Sequence, residues 1–329
     1  MSAPPGPTPA APAPPGRVSV IVVSWNSRRF LSDCLRSVAA QTRREVELIV
    51  VDNGSTDGSA DFVAAEFPSA TLIRNSSNEG FCRANNAALK RATGVFILCL
   101  NADAILEPDF IENALAGFRA IHRVGMVSGK ILRFDGVTID SAGQMLTRAR
   151  RIVDRGYGER DAPRFDEPGE IFSVCGAAAL YWRAMIDSVS TDGEFFDESF
   201  FAFGEDMDVA WRAQRAGFRA WYQPSARVRH FRGGSQTGKP GLLGRFFQTA
   251  RRPAGIRAHI VKNRWLMILK NDTLRAYLKD LPFIAAWEAA QGLWLLFAAP
   301  STIPHLWRAR EAFGRAWRRR RPAESGAGA

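Results

Sequence analysis

The sequence predicts an α/β protein with a mostly parallel sheet flanked by helices, followed by a basic helical C-terminal tail. Between residues 17 and 130, short runs rich in valine, isoleucine and leucine alternate with amphipathic segments of helical length. The short runs are apolar throughout, which is typical of parallel strands buried on both faces. From residue 256 onward the pattern is helical and rich in arginine. These observations together define the fold class.

Strands and helices are predicted to alternate in the first half of the chain. The strands lie at 18–23, 46–51, 70–73, 95–100 and 124–127. The helices lie between them, near 28–40, 59–66, 82–92 and 109–121. Parallel sheets bind their ligands beyond the carboxyl ends of the strands. Asn26, Asp52 and Asp103 follow such ends and are therefore candidates for one site.

The second half is less regular. Residues 131–172 are polar and rich in arginine and glycine, so we expect loops and short strands that face an acceptor. A buried strand is predicted at 173–182. A helix is predicted at 205–216, because Gly217 follows it in the position where glycine commonly ends a helix. A short strand at 221–229 precedes His230.

The net charge of +11 is unevenly distributed. Residues 207–329 contain 23 Lys and Arg against 6 Asp and Glu, whereas residues 1–206 contain 21 against 27. The segment 281–307 is mostly apolar, but Glu288, Gln291 and two prolines keep it below the roughly 20 residues that span a bilayer. We therefore expect an interfacial segment on an anionic membrane surface. A pair of core helices is the alternative, and nucleic-acid binding would also explain the charge.

Three regions are expected along the chain. Residues 1–16 are Pro- and Ala-rich and lack the features of a signal peptide, so we expect a disordered leader. Residues 17–240 form one domain, with a nucleotide-binding half at 17–130 and an acceptor and catalytic half at 131–240. Residues 241–329 form the basic amphipathic helical tail. The four cysteines show no paired spacing, which favours a reducing compartment.

Asp52 ends the second predicted strand and precedes a glycine- and serine-rich turn into a helix. A carboxylate in this position can accept the imide N–H of uracil or thymine through a charge-assisted hydrogen bond. The alternative is a cluster of helix-capping residues. Capping explains Asp57 and Ser59 well, but it leaves Asp52 unexplained because Asp52 precedes the turn.

The segment 78–86 opens another helix and contains Gly80, Phe81, Arg83 and Asn86. Backbone N–H groups at the start of a helix favour anions, and Arg83 could contact a diphosphate. The segment therefore indicates a phosphate or ribose contact. An ordinary glycine-containing loop is the alternative.

Asp103 follows the most hydrophobic predicted strand. A carboxylate there can bind Mg²⁺ or Mn²⁺ that bridges a nucleoside diphosphate and stabilises the leaving group. The neutral imidazole of His230 could complete the metal site. A solvated Asp103 in a turn and a structural His230 are the alternatives.

Glu205 and Asp206 follow an aromatic segment, FFDESFFAFG, at the start of a predicted helix. The aromatic side chains can exclude water and stack on a sugar ring. A carboxylate beside them is suited to take a proton from an acceptor hydroxyl group. Acidic residues also occur at helix starts because of the helix dipole, but this alternative does not explain the aromatic setting.

With these motifs in order, the chain resembles family 2 glycosyltransferases of the GT-A fold, a Rossmann-like fold, and is most similar to the bacterial rhamnosyltransferase-like branch. The resemblance covers about residues 18–235. The matching segments are VSVIVVSWNS, VDNGSTDGS, NEGFCRANNAAL, LCLNADAILEPDF, GAAALYWRAMI, FFDESFFAFGEDMDVAWRAQRAGF and VRHFRGGS.

The resemblance implies roles for individual residues. Asp206 would be the catalytic base with Glu205 beside it, and Asp103 with His230 would hold a divalent ion, Mg²⁺ or Mn²⁺. The nucleotide-sugar contacts would be Ser24, Asn26, Asp52, Asn53, Gly80, Phe81, Arg83, Asn86 and Asn101. Two positions depart from the family pattern, because Asn101 replaces an acid and Ala88 replaces a glycine.

The resemblance also implies an activity, namely transfer of a hexosyl group with inversion from a nucleoside diphosphate sugar. The expected donor is dTDP-rhamnose, with UDP- and GDP-sugars as alternatives. The expected acceptor is lipid-linked or a cell-surface polysaccharide, so the enzyme would act in cell wall or polysaccharide biosynthesis. We expect a cytoplasmic protein that is peripheral on the inner face of the cell membrane and binds no nucleic acid.

Two rival functions come from other classes. A nucleotide-dependent oxidoreductase could use the same sheet, but SWNSRR stands after the first strand in place of GxGxxG. A basic protein that docks on nucleic acid or membranes without catalysis would explain the tail alone.

Overall fold

The computed structural model describes residues 15–232 and 249–320. Residues 1–14 of the expected leader lie outside the described residues. So do the predicted domain boundary after residue 240 and the last glycines and serine of the VRHFRGGS segment. The leader and the division into domains therefore stay predictions.

Within the described residues, strands and helices alternate along the first half of the chain and then give way to a helical region. The strands are β1 (Val18–Ser24), β2 (Val46–Asn53), β3 (Thr71–Asn75), β4 (Phe96–Asn101), β5 (Ala104–Leu106), β6 (Val124–Arg133), β7 (Ile139–Ser141), β8 (Gln144–Leu146), β9 (Ile152–Asp154), β10 (Gly169–Ile171), β11 (Ala178–Trp182) and β12 (Arg219–His230). The helices are α1 (Arg28–Ala39), α2 (Ser59–Glu66), α3 (Phe81–Leu89), α4 (Phe110–Ala116), α5 (Arg183–Val189), α6 (Glu205–Arg215), α7 (Ala254–Asn271), α8 (Leu274–Lys279), α9 (Leu281–Phe297), α10 (Ile303–Arg308) and α11 (Glu311–Arg318).

One large sheet organises the molecule, with strand order β10-β12-β6-β11-β4-β1-β2-β3. The four N-terminal strands β4, β1, β2 and β3 are mutually parallel, and β12 is parallel to β6. β11 is antiparallel to both of its neighbours, β4 and β6. The prediction of a mostly parallel sheet flanked by helices is confirmed.

The apolar strands are buried on both faces, as their sequences predict. In β1, Val20 and Val22 belong to one hydrophobic cluster with Leu31 of α1, whereas Ile21 belongs to another with Cys82 of α3. Successive side chains of a strand point to opposite faces, so helices must cover both sides of β1.

The predicted strand at 173–182 is wrong in its first half. β11 begins only at Ala178, and the preceding residues form a turn in which Ala178 N donates to Cys175 O at 3.2 Å. The turn is stabilised because the N–H of Gly176 donates to the carboxylate of Asp206 rather than to a strand. The predicted strand at 124–127 is also too short, since β6 continues to Arg133 beside β12.

The C-terminal helices differ sharply in burial. Helix α7 packs into the core and its Lys270, nearly fully buried, lies 2.7 Å from Asp197 Oδ2 and 2.9 Å from Asp208 Oδ2. Burial disfavours the charged form of both carboxyls, but Lys270 outweighs this and keeps their pKa values below the usual range. In contrast, helix α9 buries only Ile284, Gln291 and Leu295.

The apolar character of α9 raises the question of a membrane span. Across residues 15–232 and 249–320, no single helix is long and apolar enough to cross a membrane. The bent pair Leu281–Phe297 and Pro300–Arg308, with an angle of 98° between them, meets the criteria of length and composition only when taken together.

Replacing Lys270 with methionine should lower the free energy of unfolding by roughly 3 kcal/mol, the lower end of the range for breaking a buried ion pair. Asp197 and Asp208 both lose this cation, although Arg319 still contacts Asp197 and Arg212 still contacts Asp208. Urea denaturation at neutral pH measures the change. Lys279→Met is the control, since Lys279 is exposed and should change stability by less than about 0.5 kcal/mol. Equal stabilities of the two variants would contradict the proposed importance of the buried network.

Candidate functional site

The register of the sheet brings the predicted acidic positions to one edge. Ser24 at the end of β1 is opposite Asp52 in β2, and Asn101 at the end of β4 is opposite Val23 in β1. Neighbouring strands are about 4.8 Å apart, so Asp52 and Asn101 lie roughly 10 Å apart across the sheet. This is the carboxyl edge of the parallel strands.

Asp206 reaches the same edge through the turn before β11. Asn101 N donates to Ala177 O at 3.0 Å, and the N–H of the adjacent Gly176 donates to Asp206 Oδ2, also at 3.0 Å. Asp103 follows β4 directly, and its carbonyl oxygen accepts from Phe231 N at 3.0 Å. The structure therefore gathers Asp52, Asp103 and Asp206 along one edge, although they are far apart in sequence.

Asp52 and Ser24 both present buried oxygen atoms at this edge. Asp52 Oδ2 accepts from the backbone N–H of Ser55 at 3.1 Å. Asp52 Oδ1 and the hydroxyl oxygen of Ser24 are also buried, and neither has a hydrogen-bond partner among the residues that the structure describes. A buried polar atom without a partner costs free energy, so these two atoms are suited to a ligand's donor groups.

Other predicted nucleotide-sugar residues hold loops around the edge. Asn26 Oδ1 accepts from Thr56 N at 2.8 Å, which fixes the turn after Asp52. Asn53 donates to Asn78 Oδ1 at 3.0 Å. Gly80 has a positive φ of 87°, and a Cβ atom there would lie 2.5 Å from the ring of Phe201. The glycine is therefore required by a protein contact, and its role toward a ligand stays a prediction.

Phe81, Arg83 and Asn86 in helix α3 all contact the aromatic segment rather than Asp52. Phe81 meets the ring of Phe196 edge-on, with 5.9 Å between centroids. Arg83 donates to Glu198 Oε2 at 2.8 Å, and Asn86 donates to Phe196 O, also at 2.8 Å. These bonds fix the segment that leads into Glu205 and Asp206. A contact of Arg83 with a diphosphate would require the ion pair with Glu198 to open.

Asp103 and His230 lie side by side, as the metal prediction requires. His230 Nε2 is 3.2 Å from Asp103 Oδ1 and 3.4 Å from Asn101 Nδ2, and His230 Nδ1 is 2.8 Å from Asp140 Oδ2. Burial opposes protonation of the imidazole, but the hydrogen bonds with both carboxylates outweigh it and raise the pKa of His230 to about 9. Asp140 orients the ring so that Nε2 points toward Asp103.

The residue types at this position fit a divalent ion, provided that binding of the ion displaces the proton of His230. One carboxylate and one imidazole with a carboxylate behind it are donors of the kind that Mn²⁺ binds, and phosphate oxygens and water complete such sites. Throughout the part of the chain that the structure describes, no group of three or more His, Cys, Asp or Glu side chains could hold a metal. Of the described residues, Asp103 and His230 would supply two ligands, and a bound diphosphate would supply others.

Glu205 and Asp206 occupy the first turn of α6 and are almost completely buried. Burial raises the pKa of both carboxyls, and repulsion from Asp206 raises that of Glu205 further. Asp206 Oδ2 accepts from Gly176 N and Gln144 Nε2, both at 3.0 Å, and Oδ1 accepts from Met207 N at 2.8 Å. A fixed carboxylate with a raised pKa is suited to accept a proton near neutral pH.

The aromatic segment before α6 is fixed by the C-terminal helix α7. Asn263 Nδ2 donates to the carbonyl oxygens of Phe200, Ala202 and Phe203 at 2.9, 2.7 and 2.7 Å. Phe201 stacks on His259 with 4.8 Å between ring centroids. The helical region therefore contributes directly to the position of Glu205 and Asp206.

Sequence reasoning missed several residues of the site. Gln144, Asp140 and Asn263 contact site residues from distant parts of the chain, and no local motif marks them. Gly176 is followed by three alanines in a segment predicted to be a strand. Its close approach to Asp206 could not be inferred from that pattern.

Comparison with known proteins identifies the family of this chain. The family model described as "Glycosyl transferase family 2" matches residues 19–190. An N-acetylglucosaminyltransferase from Mesorhizobium japonicum is 31% identical over 223 residues, which cover 64% of this chain and 50% of the relative. An N-acetylglucosaminyl-diphospho-decaprenol L-rhamnosyltransferase from Mycobacterium tuberculosis is 27% identical over 233 residues, covering 64% and 75%. The chain spans about half the length of several curated relatives that it matches.

The fold has a solved counterpart. A mannosyltransferase from Pyrobaculum calidifontis, solved with GDP-Man and Mn²⁺, aligns with a TM-score of 0.54 and 20% identity. The alignment covers 95% of this chain and 90% of the mannosyltransferase. At this level of identity the likeness supports the fold alone.

Replacing Glu205 with glutamine should weaken the pH dependence of stability. A carboxyl whose pKa is raised on folding stabilises the protein below its unfolded pKa, and that contribution is lost as the pH rises through the folded value. From about pH 4, the ordinary carboxyl range, toward neutrality, Glu205→Gln should therefore lose less unfolding free energy than the parent. Urea denaturation over a pH series measures this, with exposed Glu66→Gln as control. Parallel curves for the parent and Glu205→Gln would contradict the expectation.

Proposed function

The chain belongs to glycosyl transferase family 2 and is a glycosyltransferase of the GT-A fold, and from this premise we propose that it transfers a sugar with inversion. The donor is a nucleoside diphosphate sugar, and the acceptor is a hydroxyl group of a lipid-linked or cell-surface polysaccharide substrate. The observation that supports this most directly is the buried Asp206 carboxylate on the same sheet edge as Asp52 and Asp103.

Asp206 acts as the base in the proposed reaction. It takes the proton of the acceptor hydroxyl group while that oxygen attacks the anomeric carbon of the donor. The bond between the anomeric carbon and the diphosphate oxygen breaks on the opposite face, and the electron pair leaves with the nucleoside diphosphate. The configuration inverts because a single displacement occurs without a protein nucleophile. Burial, with the nearby charge of Asp154, raises the pKa of Asp206 toward the neutral range, and Glu205 lies beside it in the same turn of α6.

Asp52 and Ser24 bind the nucleoside of the donor in this proposal. The open acceptor atom Asp52 Oδ1 suits the imide N–H of thymine or uracil. The similarity to the rhamnosyltransferase of Mycobacterium tuberculosis supports rhamnose as the transferred sugar and a lipid-linked acceptor. The donor in this proposal is dTDP-rhamnose. UDP- and GDP-sugars are the alternatives.

Asp103 and His230 hold a divalent ion, Mg²⁺ or Mn²⁺, in the same proposal. When bound, the ion would stabilise negative charge on the leaving diphosphate. Asp140 positions His230, and the amide of Asn101 lies beside the imidazole. The protein atoms would therefore supply an oxygen ligand just after β4 and a nitrogen ligand at the end of β12.

We also propose that the protein acts at the inner face of the cell membrane. Large apolar side chains of residues 274–317 are exposed, among them Leu274 at 67%, Phe297 at 81% and Trp307 at 71%. Basic residues flank them, which suits an anionic lipid surface. Co-sedimentation with phosphatidylglycerol vesicles measures this association.

A non-catalytic docking protein for nucleic acid is the alternative from another class. Several arginines of the tail are engaged inside the protein, because Arg264 bonds Glu288 and Arg319 bonds Glu194 at 2.8 Å. Such pairing reduces the positive charge that could meet a phosphate backbone. A DNA titration with a steep salt dependence would favour this alternative over the transferase.

Asp206→Asn should reduce glycosyl transfer roughly 10²–10⁴-fold, because the variant retains the shape of the side chain but loses the base. Binding of the nucleoside diphosphate should stay within twofold of the parent, since Asp52 and Asp103 are unchanged. Release of nucleoside diphosphate in the presence of acceptor measures transfer, and exposed Asp187→Asn is the control. Turnover of Asp206→Asn at the parent rate would remove Asp206 from the role of base.

A thermal-shift panel of dTDP, UDP and GDP, each with and without Mn²⁺, should identify the base and test the ion together. A ligand at about 100 times its Kd adds about 2.7 kcal/mol of stability, and chelation should remove most of this gain. Asp103→Asn should lose the Mn²⁺-dependent part only, whereas exposed Asp109→Asn should behave like the parent. Stabilisation that is independent of Mn²⁺ in the parent would argue against the ion.

A further inference from the structure

Arg232 lies between the two halves of the candidate site. It comes just after β12, two residues beyond His230. Its Nη1 is 2.7 Å from Asp140 Oδ1, and its Nη2 is 3.3 Å from Asp154 Oδ2. A guanidinium group holds its N–H donors in a planar fork, so one side chain can bond two carboxylates that approach from different directions. A single cation therefore joins β7, which carries Asp140, to β9, which carries Asp154.

Asp140 connects Arg232 to the metal side of the site. The Asp140 side chain is inaccessible to solvent, and a buried carboxylate needs a cation or several hydrogen bonds. Arg232 bonds one of its oxygens, and the other, Oδ2, is 2.8 Å from His230 Nδ1. A carboxylate behind an imidazole fixes the orientation of the ring as a metal ligand. Arg232 therefore holds the carboxylate that turns His230 Nε2 toward Asp103.

Asp154 connects Arg232 to the base. In the β8–β9 hairpin, Asp154 is directly opposite Gln144, whose Nε2 donates to Asp206 Oδ2 at 3.0 Å. Opposite residues of an antiparallel pair are about 5 Å apart. Gln144 begins β8 and Asp154 ends β9, so the two residues form the open end of the hairpin. The ion pair with Arg232 ties this open end, and Gln144 with it, to the end of β12.

The charge of Asp154 also acts on the base. Burial raises the pKa of Asp206, and the negative charge of Asp154 raises it further. The Asp206 carboxyl also interacts with titratable groups of α6, of β11 and of the turn before β11, namely Glu205, Tyr181 and Cys175. Burial raises the pKa of Asp154 as well, and the charge of Arg232 opposes that effect. Arg232 therefore favours the ionised form of the carboxyl that faces the base.

The backbone of Arg232 is strained. Its φ is 48°, a left-handed conformation that costs a residue with a Cβ atom roughly 1 kcal/mol. Such strain persists only where surrounding contacts hold it. The contacts of this side chain are the two carboxylates and the ring of Tyr157, whose centroid is 4.6 Å from the guanidinium carbon. The fold therefore tolerates a strained residue at the point where one guanidinium group reaches both carboxylates.

We propose that Arg232 is a positioning residue for both halves of the candidate site. On the metal side it fixes His230 through Asp140. On the base side it fixes Gln144 through Asp154. The inference rests on the proposed transferase function and deepens it, because one residue then aligns the group that meets the diphosphate and the group that meets the acceptor. Lysine at this position would retain the charge but lose the planar fork.

Metal binding tests the first half of this role in the full-length protein. Mn²⁺ is titrated in the presence of saturating dTDP, UDP or GDP, and thermal stabilisation gives the Mn²⁺ concentration of half-maximal effect. Arg232→Lys and Asp140→Asn should raise this concentration about tenfold or more, because the imidazole ligand loses its support. Asp154→Asn should stay within threefold of the parent. The control is Arg229→Lys, an exposed arginine on the same strand that pairs with Glu107, and it should also stay within threefold.

Donor hydrolysis tests the second half. Release of nucleoside diphosphate from dTDP-rhamnose, UDP-GlcNAc or GDP-mannose is measured with water as the acceptor and with increasing Mn²⁺. Arg232→Lys and Asp154→Asn should reduce release roughly tenfold even at saturating Mn²⁺, because a small displacement of a catalytic group is costly. The loss in Asp140→Asn should instead be recovered as Mn²⁺ is added.

The pH profile of release separates a role at the base from a role in folding alone. In Asp154→Asn the acidic limb of the profile should move to lower pH, because a negative charge that raises the pKa of Asp206 is removed. The same limb should stay in place in Arg229→Lys. A limb that does not move in Asp154→Asn would contradict the connection between this carboxylate and the base.

The pattern across the variants decides the proposal. Arg232→Lys with either Mn²⁺ affinity or release at saturating Mn²⁺ within threefold of the parent would overturn it. So would matching defects in Asp140→Asn and Asp154→Asn, and this comparison still decides if Arg232→Lys does not fold, which melting without ligand reveals. A parent protein that shows neither Mn²⁺-dependent stabilisation by a nucleotide nor release from any donor would instead refute the transferase function.

Discussion

The cost of burying carboxylates at one edge of a sheet is the constraint on which this structure depends. Asp206 is nearly inaccessible to water, and it keeps its place because N–H groups of Gly176, Gln144 and Met207 point at its two oxygens. These donors come from three separate segments. The turn before β11, the β8–β9 hairpin and the first turn of α6 therefore have to assemble around one side chain.

The C-terminal helical region belongs to this assembly. Asn263 donates to three carbonyl groups in the segment that leads into α6. Lys270 pairs with two buried carboxylates on either side of that segment, those of Asp197 and Asp208. Two residues of the segment, Phe201 and Phe203, have positive φ angles, a strained conformation that surrounding contacts must hold. Helix α7 supplies those contacts, so its position and the position of Asp206 are linked.

Periodicity predicted most of the framework because it reports local burial. The bounds of α1, α2 and β2 agree with the patterns to within two residues, and the strand ends correctly indicated the edge where Asp52 and Asp103 lie. Contacts between segments that are distant in sequence produce no periodic pattern, so they could not be predicted. The sequence around Arg83 and Asn86 resembles an anion-binding loop, yet both side chains bond the segment near Glu198, because that segment needs partners when it is buried. The turn at Gly176 could not be predicted for the same reason, because the carboxylate that stabilises it belongs to Asp206, 30 residues away.

Helices α7 and α9 orient their polar residues toward different partners. Both helices mix apolar and polar residues. Helix α7 turns its polar side chains toward buried carbonyls and carboxylates of the segment that leads into α6. Helix α9 instead turns Glu288 and Gln291 inward and its large apolar side chains outward. Exposing Leu293, Leu296 and Phe297 to water is unfavourable unless an apolar partner covers them. Through Arg264, the buried side of α9 is joined to the hairpin that carries Gln144. A displacement of α9 would therefore disturb contacts that fix the hairpin beside Asp206.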